Sequence, residues 1–144
     1  MGETHLYKFL DSIIPSTTHF KWSEFLWLPR WKIHALPDEE IYFNLITTAK
    51  KMQDIRDILQ APITITSGFR PQEYNTLIGG SKKSAHMLGL ACDFQVTGIT
   101  AKDTSKILLA HLDKLEIRME DHLGNWTHID LMPLSPRGKR FFKP

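Results

Sequence analysis

Two His/Asp motifs on strand-like segments, far apart in sequence, constrain this chain more than anything else in it. In the first, His86 is followed by a bend at Gly89 and then by the run Ala91-Cys92-Asp93-Phe94-Gln95-Val96. The second is Trp126-Thr127-His128-Ile129-Asp130-Leu131. Side chains alternate along a strand, so Cys92, Phe94 and Val96 share one face and Asp93 lies on the other. By the same rule Thr127, Ile129 and Leu131 oppose Trp126, His128 and Asp130. An apolar back and a His/Asp front on two strands require a sheet buried on one side only. His86, Asp93 and His128 then form a three-ligand set of the type that holds catalytic zinc and keeps a fourth position open for water.

The remaining segments read as scaffold. Leu6, Phe9, Leu10, Ile13 and Ile14 recur at helical spacing up to Pro15, which predicts an N-terminal helix within residues 1–16. The aromatics from Phe20 to Trp31 are expected to pack over the core, with Ser23 capping a short helix. Pro37-Asp38-Glu39-Glu40 opens the clearest helix, its acids favoured by the helix dipole, and Ile41, Leu45, Ala49, Met52, Ile55 and Leu59 mark its buried face. Ile63-Thr64-Ile65-Thr66 alternates as a strand, Pro71 starts a short helix through Ile78, and Gly79-Gly80 ends it. Thr100 to Leu115 predicts one amphipathic helix with Ile107, Leu108, His111 and Leu112 on one side. Residues 115–120 and 126–131 predict a β-hairpin around Asp121-His122-Leu123-Gly124-Asn125. The basic, proline-containing stretch 133–144 has no periodicity and is expected to be a loosely held extension.

Length and charge narrow the class. A chain of 144 residues fits one domain with a single core. Its formal charge of +2 gives no argument for nucleic acid, while a mildly basic protein suits an anionic polymer. No apolar run reaches the ~20 residues of a membrane span. The single cysteine, Cys92, is placed on the core face, which excludes it as nucleophile or ligand.

Beyond the ligands, hydrolytic zinc chemistry needs a base within reach of the attacking water. Glu120 is the candidate. A five-residue hairpin loop would set it opposite Trp126, on the face of His128 and diagonal to it; a loop one residue shorter would turn it away, and Asp121 and His122 are the alternates. Asp130 is expected to orient a histidine or the substrate from behind the ligands. Arg70, held after a strand by Pro71, is placed to clamp a carboxylate or a carbonyl with its planar fork.

These residues resemble a known family. Ser67-Gly68-Phe69-Arg70, Tyr74-Asn75, Gly79-Gly80-Ser81, Ser84-x-His86-x-x-Gly89-x-Ala91-x-Asp93 and Trp126-x-His128-x-Asp130 are similar to the M15 zinc peptidases, in particular the small D-Ala-D-Ala carboxypeptidase-like subfamily of phages and bacteria. Thr18-His19-Phe20-x-x-x-Glu24 resembles that subfamily's opening motif. The resemblance implies an α+β fold of the Hedgehog/DD-peptidase type, a small antiparallel sheet with helices around it and the zinc site on the open sheet face. It implies Zn2+ held by His86, Asp93 and His128, with Arg70 contacting substrate and Ser84, Tyr74, Asp130 and Trp126 in supporting or substrate-binding positions. The implied substrate is the peptidoglycan stem peptide, cut by carboxypeptidase or endopeptidase action, with the protein a monomer that neither binds nucleic acid nor inserts into membranes. In several members the catalytic acid stands three residues before the last histidine, where this chain has Asn125, so a zinc-holding wall-binding module without turnover is the rival expectation. The first twenty residues lack the positive start and apolar centre of a secretory signal, which points to release through a lysed membrane or carriage in a phage particle.

Overall fold

The computed structural model describes residues 2–144; Met1 lies outside the described residues. In chain order the elements are α1 (Gly2–Leu10), α2 (Trp22–Leu26), β1 (Trp27–Leu28), β2 (Ile33–His34), α3 (Glu39–Leu59), β3 (Ile63–Ser67), α4 (Gln72–Leu77), β4 (Ala91–Val96), α5 (Ala101–Leu108), α6 (Leu112–Leu115), β5 (Arg118–Glu120), β6 (Thr127–Asp130) and β7 (Phe141–Phe142). Single 3-10 turns occupy Ala85–Leu88 and Leu109–His111. The architecture is α+β. No helix among the described residues is long and apolar enough to cross a membrane.

The main sheet has the order β3-β4-β6-β5-β7, and β1 and β2 form a separate two-stranded ribbon. Three of the four neighbouring pairs are antiparallel, and β5 with β7 is parallel, which corrects the expectation of a purely antiparallel sheet. It also corrects the expectation of a loose C-terminal extension. Met119 N donates to Arg140 O and Asp121 N to Phe142 O, both at 2.6 Å. Without β7 the short strand β5 would be a sheet edge with unpaired amides, and two consecutive phenylalanines are good β-formers to cover it.

The back face of the sheet is apolar as the alternation requires. Cys92, Phe94, Met119 and Ile129 are fully buried in one continuous cluster with Leu45, Ala49, Met52 and Ile55 of α3. Helix α3 starts where Asp38 Oδ1 accepts from Ile41 N at 2.8 Å and ends at Gln60 in the left-handed region. Trp22 is buried between Phe9 and Tyr42, with ring centroids 5.0 and 4.8 Å away, whereas Trp27 and Trp31 remain 40% and 39% exposed. The cap of α2 is Lys21 and not Ser23: its backbone N–H donates to Glu24 Oε2, which brings Trp22 into the first turn and into the core.

The predicted helix from Thr100 to Leu115 is broken. Helix α5 tightens into a 3-10 turn after Leu108 and resumes as α6, closing at Glu116 with φ 56°. The buried stripe is Thr104, Leu108, Leu112 and Leu115, and Ile107 stands outside it at 43% exposure.

The hairpin register differs from expectation by two residues. Arg118 pairs with Asp130 and Met119 with Ile129. Trp126 does not pair across the strands; it stacks on His122 in the loop at 4.3 Å, and Gly124 N donates to His122 Nδ1, which widens the turn. A shift of two preserves the face. Continued one residue further, this register sets Glu120 across from His128.

A close backbone approach fixes the turn after β3 against α2. Phe69 N donates to Phe25 O, and a Cβ on Gly68 would overlap that carbonyl oxygen and lie 2.8 Å from Phe25 Cα. Gly68→Ala must therefore displace backbone, at about 1–3 kcal/mol for overpacking. At ~2–4 °C per kcal/mol for a domain of this size, thermal unfolding followed by circular dichroism should show a Tm lower by about 2–12 °C.

Candidate metal centre

The sheet's front face carries the polar cluster. Asp93 and His128 are direct cross-strand partners on β4 and β6, and Ala91 pairs with Asp130 two residues along. A directly opposed pair is the closest side-chain relation a sheet offers. His86 reaches the same point from the 3-10 turn before β4. Ser84 caps that turn by accepting from His86 N at 3.2 Å, and Gly89 closes it at φ 72° against Ile41 and Leu45. Thr48 of α3 donates to Gly89 O at 2.7 Å, and Arg70 N donates to His86 O at 3.0 Å. Its backbone thus fixed, His86 is buried, and its Nδ1 lies 2.8 Å from Gly68 O.

One ligand atom from each of His86, Asp93 and His128 lies within 4.8 Å of the others. The proton inventory shows what this arrangement is suited to. A carbonyl only accepts, so His86 Nδ1 carries the proton and its Nε2 lone pair faces Asp93 Oδ1 across 3.2 Å. A lone pair and a carboxylate oxygen in that relation are two donor atoms that one cation could join. His128 Nε2 donates to Asp130 Oδ2 at 3.1 Å, and its Nδ1 lies 2.7 Å from the same Asp93 Oδ1. Two imidazole nitrogens and one carboxylate oxygen therefore converge on one point, with the far nitrogen of each ring held by an acceptor, as metal-bound histidines require. The donor set fits a divalent metal ion with an open coordination position.

Electrostatics agree. Burial lowers the basicity of His128, but the hydrogen bonds to Asp130 and Asp93 outweigh it and carry its pKa up to about 9. Burial opposes ionisation of Asp93, and the hydrogen bond from His128 Nδ1 opposes that effect, so that the carboxyl lies well below the usual range. Asp130 is likewise lowered, against burial, by His128 and Arg118. The site concentrates negative charge around a cation, and the Nδ1 proton of His128 is the one a metal ion would displace.

Arg70 sits at the back of this cluster. Its Nε donates to Ser67 Oγ at 2.9 Å, Nη1 to Asn75 Oδ1 at 3.4 Å and Nη2 to Asp93 Oδ2 at 3.2 Å. The fork expected to clamp a substrate is thus partly engaged by the protein, although the guanidinium still lines the cleft. That cleft, of about 740 Å³, is bordered by Ser84, His86, Asp93, Glu120, Trp126 and His128 among others. Tyr74 lies outside it: its hydroxyl accepts from Arg30 N at 3.1 Å, and it lines a neighbouring cavity. The alternates Asp121 and His122 also lie outside, the first paired with Lys143 at 3.4 Å and the second engaged by Gly124 N. His19 of the opening motif does not border the cleft; with Thr18 it is fastened to Gln53 of α3. Burial pushes the Cys92 thiol up, consistent with an inert core residue.

Sequence reasoning missed Arg118. It grips Asp130 with both ends of its fork, Nε to Oδ1 at 2.7 Å and Nη2 to Oδ2 at 2.9 Å, and lines the cleft. The alternation Arg118-Met119-Glu120 carried the signal, since Arg118 shares a face with Glu120.

Residues 19–130 match the family model for Peptidase M15, more than half of the chain. The chain belongs to this peptidase family. No curated protein matches it. The family assignment makes the His-Asp-His cluster of this M15 chain the candidate metal centre of a metallopeptidase.

The purified protein should bind one divalent metal ion per chain, and His86→Ala, Asp93→Ala or His128→Ala should abolish it, as elemental analysis after dialysis would show. Asp130→Asn should keep the stoichiometry and weaken affinity about 10- to 100-fold in a chelator competition.

Proposed function

We propose that this M15 peptidase is zinc-dependent and hydrolyses the stem peptide of bacterial peptidoglycan, with D-Ala-D-Ala carboxypeptidase-like action as the first reading, on a scaffold of the Hedgehog/DD-peptidase type. The observation that carries the proposal is the convergence of His86, Asp93 and His128 at the floor of an open cleft in a chain of this family. Zinc in such a three-ligand site supplies a Lewis acid that polarises the scissile carbonyl and acidifies the attacking water.

The protein's own residues do the rest. Glu120 borders the cleft on the face of His128, and because Arg118 is committed to Asp130, Glu120 has no ion-pair partner among the described residues. Its carboxylate takes the water's proton and returns it to the leaving nitrogen. Arg70 steadies Asp93 through Oδ2 and offers its remaining N–H groups to a substrate carbonyl or carboxylate. Lys83, on the cleft rim without an ion-pair partner among the described residues, supplies a cation for a terminal D-Ala carboxylate.

A specific feature favours endopeptidase action as the second reading. A cavity of about 330 Å³, bordered by Thr66, Tyr74, Gln95 and Asn125, shares Arg70, Asp93 and Trp126 with the main cleft. A groove that continues past the metal ligands accommodates a chain on both sides of the cut bond.

Digestion of purified peptidoglycan with mass spectrometry of the products tests both readings. Chelator-sensitive release of D-Ala is the expected result, longer stem fragments identify an endopeptidase, and no release by a zinc-loaded protein overturns the proposal in favour of a wall-binding module. Glu120→Gln should lower turnover about 10²- to 10⁴-fold while leaving zinc stoichiometry unchanged.

A further inference from the structure

Strand β7 lies outside the family-matched residues 19–130, yet it forms one wall of the metal cleft. Glu120 and Phe142 are register partners in the parallel pair, so the Phe142 side chain stands beside the β5 residues of the front face. Arg118 Cζ lies 4.2 Å above the centre of the Phe142 ring. The ring also meets His128 edge-on, centroids 6.3 Å apart and planes at 82°. An unbroken chain of contacts thus runs from the tail to a metal ligand: the ring under Arg118, the Arg118 fork on both oxygens of Asp130, and Asp130 Oδ2 on His128 Nε2.

We propose that Phe142 is a positioning residue of the metal centre, acting through Arg118 and Asp130 to fix the ring orientation of His128. A guanidinium can present its fork to a carboxylate only in its own plane, so what lies against its flat face decides where the fork points. Phe142 is that surface, and its negatively polarised face attracts the cation it supports. With Asp130 held by two parallel bonds, the Nε2 proton of His128 has one acceptor in one place, and Nδ1 is left to the metal. Replacing the ring with an aliphatic group keeps the apolar contact and removes the flat, polarised surface.

This inference rests on the metal-peptidase reading for its functional consequence, but its structural part can be read without metal. In the metal-free protein the Arg118 Nε–H should give a slowly exchanging NMR signal, lost or broadened in Phe142→Leu and retained in Phe142→Tyr. In chelator competition, Phe142→Leu should weaken zinc binding about 3- to 10-fold, within the range of a cation–π contact, and Phe142→Tyr should restore it. If Phe142 acts through Arg118, adding Phe142→Leu to Arg118→Lys should weaken zinc no further than Arg118→Lys alone. An unchanged Arg118 signal and unchanged zinc affinity in a folded Phe142→Leu protein overturn the proposal, and so do independent, additive losses in the double variant. If Phe142→Leu fails to fold, Phe142→Met takes its place in the same measurements: loss of the Arg118 signal with no further weakening beyond Arg118→Lys supports the proposal, and an unchanged signal or additive losses overturn it. A wild type that shows the protected Arg118 signal but binds no zinc would retire the metal reading and leave the positioning contact standing.

Discussion

The structure depends on one carboxylate. Asp93 is buried on the interior strand β4, and both of its oxygens are engaged: Oδ1 with His86 and His128, Oδ2 with Arg70. Removing an ionised carboxylate from water costs several kcal/mol unless partners compensate, so each contact is needed to keep the others in place. The partners come from three parts of the chain: the turn after β3, the 3-10 turn before β4, and β6. Whatever folds these segments together also assembles the site. That leaves little freedom to move a ligand without unfolding its neighbourhood, which is the rigidity a metal centre requires.

The apolar side of the sheet supplies that rigidity. The run from Ala91 to Val96 buries Cys92 and Phe94 completely, and the next strand buries Ile129 and Thr127 opposite them. Because the strand period is two, burying these residues obliges Asp93 and His128 to face the other way, side by side. Helix α3 contributes from behind through Thr48 to Gly89, fixing the turn that carries His86. A core helix without charged groups in the cleft thus controls the geometry of a ligand.

Much of this was legible in the sequence, for a physical reason. Alternation and turn residues are local signals, and they suffice to place Asp93, His128 and Asp130 on one face and Cys92 on the other. What was not legible depends on relations between segments. The hairpin register was missed by two residues because Trp126 stacks on His122, a loop contact that competes with strand pairing. The break after Leu108 was missed because Thr104, Leu108 and Leu112 keep helical spacing across it. The tail was read as loose because Phe141 and Phe142 are too short a run to show a period, and only the exposed edge of β5 gives them a structure.

The same distinction governs the two arginines of the site. Arg70 follows a strand and precedes a proline, which looks like a poised substrate clamp, yet three of its donors are satisfied by Ser67, Asn75 and Asp93. Arg118 looks like the neutralising partner of Glu120, yet its fork belongs to Asp130. Had Arg118 paired with Glu120, the one carboxylate of the cleft not tied to a ligand would be held as an anion and its capacity to take a proton reduced. The stronger bidentate pair with Asp130 removes that competitor. The two arginines therefore serve the ligands from opposite sides, and neither is paired with Glu120 in the lining of the cleft.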